Sequence, residues 1–350
     1  MPGANRTVDS TSPSVFPPKY SFFQKVAHRL TAEARGLYEK THPGCMPRIE
    51  RTIDPEIAAG YIYDCLCTGK PAMIARFGGS ELYTLANYLG VQKGIRGSWD
   101  FIRARQDQWW WMKSRIDALV NNAGFFPREE WAVVKYSLLL QEDMQYLDVL
   151  ASFNSREYLF EENFRDVPRL YLYFLEPWFA EKPWTRLLSG KKVLVVHPFA
   201  ELIEKQYRSK RERLFPGTDI LPEFELHTVK AVQSIGGVSN GFASWFEALE
   251  WMEREMDKVD YDIALIGCGA YGFHLAAHAK RTGHQGVHLG GVLQMLFGIK
   301  GNRWEDPEYG APEAGIPRGW YQRLFNDAWV KPGLRDRPAI AEQVEGACYW

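Results

Sequence analysis

Residues 261–304 read YDIALIGCGAYGFHLAAHAKRTGHQGVHLGGVLQMLFGIKGNRW. Tyr261–Ile266 is a short apolar run of strand character. Gly267, Gly269 and Gly272 follow it at once in a G-x-G-x-x-G spacing, and Phe273–Arg281 then has the pattern of a helix. Strand, glycine turn and helix in that order form a phosphate cradle. The glycines let the backbone come close to an anion, and the helix start offers free N–H groups at the positive end of its dipole. The stretch predicts an α/β fold and a ligand that carries phosphate.

A nicotinamide dinucleotide is the obvious candidate, yet the sequence argues against it. That fingerprint wants an Asp or Glu about 20 residues on, to hold the ribose hydroxyls. Here the second strand, Gly286–Leu289, runs into Gly290 and Gly291 with no acid at its end. The plainer alternative for the glycines is tight packing of a helix on a strand.

Composition narrows the field. A chain of 350 residues can bury a large α/β core. Its formal net charge is −1 and it has no basic run, so nucleic acid is not an expected partner. The opening MPGANRTVDSTSPSVFPPKY has no apolar core of a signal peptide. No run of about 18 apolar residues predicts a transmembrane segment. The five cysteines are odd in number and scattered, and Cys65-Leu-Cys67 has neither zinc nor redox spacing, which fits a reducing cytoplasm. The 13 tryptophans serve a core by default; a surplus also suits a cleft in which aromatic faces stack on sugar rings.

Strands are predicted at Pro71–Phe77, Val149–Phe153, Leu170–Leu175, Lys192–His197 and Phe224–Val229. Helices are predicted at Phe22–Tyr38, Asp54–Cys67, Glu81–Leu89, Gln106–Val120, Arg128–Leu147, Phe199–Ser209 and Ser244–Met256. Strands alternating with helices imply a mostly parallel, doubly wound, Rossmann-like sheet with helices on both faces. Residues 1–20 read as a disordered tail, 21–305 as one α/β domain, and 306–350 as an extension wrapping the surface.

A second cradle lies in IARFGGSEL, residues 74–82. Arg76 ends a strand, Gly78, Gly79 and Ser80 turn the chain, and Glu81 stands in the first turn of the next helix. His197-Pro198-Phe199 ends a third strand. Together with Asp262–Gly272 and with His288–Gly291 running through Gln294 to Phe297–Gly301, these segments resemble the GT-D-fold glycosyltransferases, a bacterial family of surface-glycan and glycoprotein sugar transferases. The similarity spans roughly residues 54–304. One departure stands out. The family's first motif carries an Asp-x-Glu element that positions a divalent cation, and here the three places hold Gly79, Ser80 and Glu81.

The resemblance implies a nucleotide-sugar donor such as a UDP-sugar and a glycan acceptor in polysaccharide or glycoconjugate assembly. It implies Mn²⁺ or Mg²⁺ only through Glu81, and leaves metal dependence open. Transfer needs stabilisation of the leaving diphosphate and, in an inverting enzyme, a base for the acceptor proton. The diphosphate falls to Arg76, Gly78, Gly79, Ser80, Gly267, Gly269, Tyr271 and Gly272, with Lys300 and Arg303 closing over it. The proton falls to Glu81, then His197 and Glu201. Gln206, Tyr207, Arg211, Gly290, Gly291 and Gln294 are the candidates for acceptor or base contacts. Peripheral membrane association and a homo-oligomer are compatible with this role. His274, His278, His284 and His288 have a zinc-like look, but without an H-E-x-x-H glutamate they read as solvated helix histidines.

Overall fold

The computed structural model describes residues 16–310, 315–333, 336–337 and 347–350. Seven strands form one sheet: β1 (Ala72–Ala75), β2 (Val149–Ser152), β3 (Arg169–Tyr171), β4 (Lys192–His197), β5 (Glu225–Lys230), β6 (Ile263–Ile266) and β7 (Gln285–His288). Every pairing is parallel, and the order is β3-β2-β1-β7-β6-β4-β5. The α/β, Rossmann-like class expected from the sequence is the class observed.

The strands are apolar on both faces because helices cover both. Met73, Ala75, Leu194, Val196, Ala264 and Ile266 point into one core, and Ala72, Ile74, Val193, Val195, Ile263 and Leu265 into the other. The first core takes α3 (Gly79–Lys93), α5 (Lys113–Asn121), α6 (Glu130–Asp143), α8 (Trp245–Asp257) and α9 (Tyr271–Arg281). The second takes α2 (Pro55–Cys67) and α7 (Ala200–Leu214). Helix α1 (Phe22–Thr41) lies outside both, against α4 (Ser98–Ile102). Two starts follow the expected chemistry. Asp54 caps α2 by accepting from the N–H groups of Glu56 and Ile57, ahead of Pro55. Ser244 caps α8 through the N–H of Glu247.

Four expectations need correction. The helix expected over Gln106–Val120 begins only at Lys113. Asn87 is the cause: its amide donates to the carbonyls of Gln108 (3.0 Å) and Trp110 (2.8 Å) and accepts from the N–H of Met112 (2.9 Å). The strand expected over Leu170–Leu175 stops at Tyr171 and tightens into a 3₁₀ turn over Leu172–Leu175. Residues 1–15 of the expected tail lie outside the described residues, but residues 16–20 are docked. Phe16 is buried edge-on to Trp111, and the Tyr20 hydroxyl accepts from the Trp111 N–H at 2.7 Å. Past residue 305, Ile316, Tyr321, Trp329 and Trp350 are buried in the second core, so this segment does more than coat the surface.

Strand order sets the binding edge. From β4 the chain passes to β5 on one side, and from β6 it passes to β7 on the other. The carboxyl ends of β4 and β6 therefore flank a switch point, where open parallel sheets leave a crevice. Arg76, Gly267 and Gly290 follow strands at that edge, and His197 ends one.

Candidate functional site

The three glycines after β6 do different work. Gly267 continues the ladder, donating to the Val196 carbonyl at 2.9 Å. A Cβ there would sit 2.6 Å from the Gly290 carbonyl oxygen and 2.9 Å from the His197 ring, so the site demands glycine. Gly269 has φ +58° with only the Ala123 carbonyl nearby, at 3.8 Å, so it turns the chain beside open space. Gly272 is a packing glycine: a Cβ would overlap the His288 ring. Helix α9 then begins at Tyr271 with no side chain capping it. The Gly272 N–H turns back to the Gly269 carbonyl at 3.1 Å, while no side chain caps the helix start at Tyr271.

At the end of β4, His197 is buried, and its Nδ1 accepts from the Phe199 N–H at 3.0 Å. A ring nitrogen that accepts from an amide carries no proton, so the neutral ring holds its proton on Nε2. Burial drives its pKa down to about 3. His197 is thus a neutral donor toward the crevice it lines, which argues against the role of proton acceptor through Nε2.

At the end of β1, Arg76 forms no hydrogen bond or ion pair with the described residues; its guanidinium lies over the Phe153 ring at 5.2 Å, and its Nε is buried without a partner. Gly290, at φ +73°, lets the guanidinium approach the backbone: a Cβ there would stand 2.9 Å from Nη1. Helix α3 starts after Gly78, again with no side-chain cap. Glu81 folds back across this start, since a Cβ on Gly78 would overlap its carboxylate. Burial raises the Glu81 pKa, with Arg76 opposing.

These ends converge. Arg76, His197, Gly267, Gly269, Tyr271, Gly290, Gly291 and Gln294 line one crevice of about 110 Å³, in which Arg76 is the only charged side chain among the described residues. The Tyr271 hydroxyl bonds Ser234 Oγ at 2.7 Å, and its ring stacks on Trp245 at 4.7 Å. Gln294 Nε2 donates to the carbonyls of Ile299 and Tyr349, while its buried Oε1 has no partner. Tyr349 covers Gly291, whose missing Cβ makes room for the ring.

A second cavity of about 700 Å³ adjoins the crevice and shares Arg76, Gly291 and Tyr349 with it. Gly79 and Ser80 open into this one, as do Arg51, Tyr171, Tyr173, Arg303, Trp304 and Tyr309. Arg303 donates to the Tyr349 hydroxyl at 3.2 Å and lies over the Tyr309 and Tyr349 rings. The crevice alone is too small for a nucleotide, for which ligand pockets run to roughly 300–1,000 Å³; the pair is large enough.

Glu176, which the sequence reading missed, is the only acid lining either space among the described residues. It is 6% exposed. Its Oε2 accepts from the Tyr321 hydroxyl at 2.9 Å, and burial pushes its pKa up to about 8. The available signal was a lone acid in the apolar run LYLYFLEPWF, residues 170–179.

Other expected site residues lie elsewhere. Glu201 is exposed and pairs with Lys230 at 2.9 Å. Gln206 is buried structurally, donating to the carbonyls of Gly298 and Ala328. Tyr207 stacks on Phe224, and its hydroxyl both accepts from the Phe224 N–H and donates to its carbonyl. Arg211 pairs with Glu212 and Glu223, and Lys300 with Glu305 at 3.4 Å. In each, a local partner takes the charge or polar group that was assigned to a ligand.

Two of the four histidines, His274 and His288, are buried, contrary to expectation; His278 and His284 are partly exposed, the latter stacked on Tyr261. His274 is fully buried with Nδ1 2.7 Å from Asp143, His278 lies 2.7 Å from Asp257, and His288 is buried with its Nδ1 donating to the Ile266 carbonyl. No group of three His, Cys, Asp or Glu side chains able to hold a metal occurs among the described residues. Nor does the cradle over residues 74–82 suit a divalent cation: its one carboxylate, Glu81, is turned back over Gly78 in the field of Arg76. All five cysteines are free. Among the described residues no helix is long and apolar enough to cross a membrane. Comparison of the chain with family models, curated proteins and solved structures returned no match.

Proposed function

We propose that this chain is a glycosyltransferase that moves a sugar from a nucleotide-sugar donor to a hydroxyl of a glycan acceptor in surface polysaccharide or glycoconjugate assembly. The observation that carries the proposal is Arg76. It is a charge with no ion-pair partner among the described residues, at the carboxyl edge of a parallel sheet, and the helix that follows β6 starts with no side-chain cap. Such an arrangement awaits an anion.

In this reading the diphosphate occupies the crevice. Arg76, the N–H groups of the Gly269–Tyr271 turn and the Nε2–H of His197 meet the charge that develops as the bond to the sugar breaks. Fixed donors of this kind are worth roughly 3–4 kcal/mol each in the transition state. The larger cavity takes the sugar and acceptor, its Tyr and Trp faces suiting the C–H face of a pyranose. Glu81 shapes the cradle over residues 74–82 and lies in the field of Arg76.

A thermal-shift screen against UDP-, GDP-, CMP- and dTDP-sugars, with NAD(P)H in parallel, tests the proposal. One nucleotide-sugar class is expected to raise the melting temperature, since a ligand that binds only the folded state stabilises it by mass action. A shift with NAD(P)H alone, or no shift at all, would sink it.

A further inference from the structure

We propose that Glu176 is the group that takes the proton from the attacking hydroxyl. The inference rests on the transferase reading above and adds to it a residue and a place for the acceptor.

Glu176 sits where the 3₁₀ turn over Leu172–Leu175 ends, and its N–H donates to the Tyr173 carbonyl at 3.1 Å, which anchors the backbone. Tyr321 donates to Oε2, and Glu176 lines the cavity. The carboxyl is therefore fixed in one orientation at the wall of a space large enough for a sugar. Arg76 lines the same cavity and the crevice as well. The proposed acceptor site and phosphate site thus adjoin at Arg76, which brings the two reacting groups near one another.

The step balances without a further reactant. The acceptor oxygen forms a bond to the anomeric carbon. The bond from that carbon to the donor phosphate breaks, and the electron pair leaves with the nucleoside diphosphate. The acceptor proton passes to the ionised Glu176 carboxylate, and solvent removes it afterwards.

The groups that tune Glu176 come from several segments. Tyr321 donates to it and Arg303 favours its charged form. Tyr309 faces the same region, and Arg51 and Arg76 line the cavity. Burial outweighs them, so the carboxyl ionises in the range where a general base works well near neutral pH.

The experiment uses the full chain and the nucleotide-sugar that gives the largest thermal shift, with water standing in for the acceptor hydroxyl. Donor hydrolysis is followed against pH, and binding of the matching nucleoside diphosphate is measured separately by calorimetry. For wild type, hydrolysis is expected to rise with pH through a midpoint near 8. Glu176→Gln should lower it at least 100-fold, the scale of general-base catalysis, with diphosphate affinity within twofold of wild type. Tyr321→Phe removes a donor that favours the carboxylate, so its rising limb should move to higher pH; this variant carries the test should the first fail to fold. Hydrolysis by Glu176→Gln at the wild-type rate, or a limb that Tyr321→Phe leaves in place, overturns the assignment while the transferase reading stands. Absence of nucleotide binding by wild type overturns the transferase reading itself, and this inference with it.

Discussion

Arg76 separates binding from stability because it forms no hydrogen bond or ion pair with the described residues; its protein contacts are the Phe153 ring and the field it exerts on Glu81. Arg76→Gln is expected to weaken nucleoside diphosphate binding by roughly 10- to 100-fold, the worth of a charged hydrogen bond of about 1.5–3 kcal/mol. Its melting temperature should stay close to wild type, since only the Phe153 contact and the field on Glu81 are lost; calorimetry and thermal denaturation read the two quantities. Other residues at the site link stability to pH with opposite signs. His197 and His288 have folded pKa values depressed to about 3 from 6.5. The unfolded chain takes up their protons first, so their contribution is present above 6.5 and lost as pH falls toward 3. Glu176 is raised from 4.5 to about 8. Its contribution is present below 4.5 and lost as pH rises through 8. Glu176→Gln should therefore gain stability relative to wild type between about pH 5 and pH 8, measured by melting temperature. A difference that stays constant across that window would contradict the buried, protonated state.

The elements explain why a glycine spacing was only half informative. After β6, Gly267 lets the chain pass the Gly290 carbonyl, and Gly272 lets α9 settle on His288 of β7. Both positions would be required in a protein that bound nothing. Gly269 alone couples a left-handed turn to open space in the crevice. Gly272→Ala is expected to cost about 1–3 kcal/mol through overpacking, leaving nucleotide affinity largely intact at temperatures where the protein is folded. Gly269→Val should add strain of roughly 1–2 kcal/mol and also remove binding, because its branches occupy the approach to the backbone. If Gly272→Ala abolished binding without lowering the melting temperature, the division of roles would be wrong. The helix over 106–120 failed for a reason of the same kind. Its periodicity is real, but Asn87 captures three backbone groups that a helix would need.

Over the whole molecule, the segment past residue 305 completes both the core and the site. Trp350 is buried against Phe199 at 6.3 Å between ring centroids, and Tyr349 forms the wall between crevice and cavity. Trp350→Ala should destabilise the protein by about 3–5 kcal/mol. Tyr349→Ala should instead weaken donor binding with a smaller loss of stability. Comparison of the two melting temperatures and affinities checks the assignment; equal loss of binding in both would mean that the wall acts only through the fold.

Much of the architecture was legible in the sequence because its causes are local. Apolar runs such as KKVLVVH and YDIALIG commit to strands buried on both faces, and Asp54-Pro55 and Ser244 announce helix starts. A turn that follows a parallel strand directly must lie at the carboxyl edge, so Arg76, His197 and Gly267–Gly272 were placed together by sequence alone. Tertiary structure decided the rest. Pairing of β7 between β1 and β6 sets Gly290 beside Arg76 and Gly267. The amide of Phe199 fixes the tautomer of His197. Folding sends Glu201 to solvent and seals Glu176 into the wall of a cavity. A side chain's charge and reach depend on what the fold packs against it, and those neighbours lie far along the chain, as Glu176 and Tyr321 do, 145 residues apart. Local sequence holds no record of them.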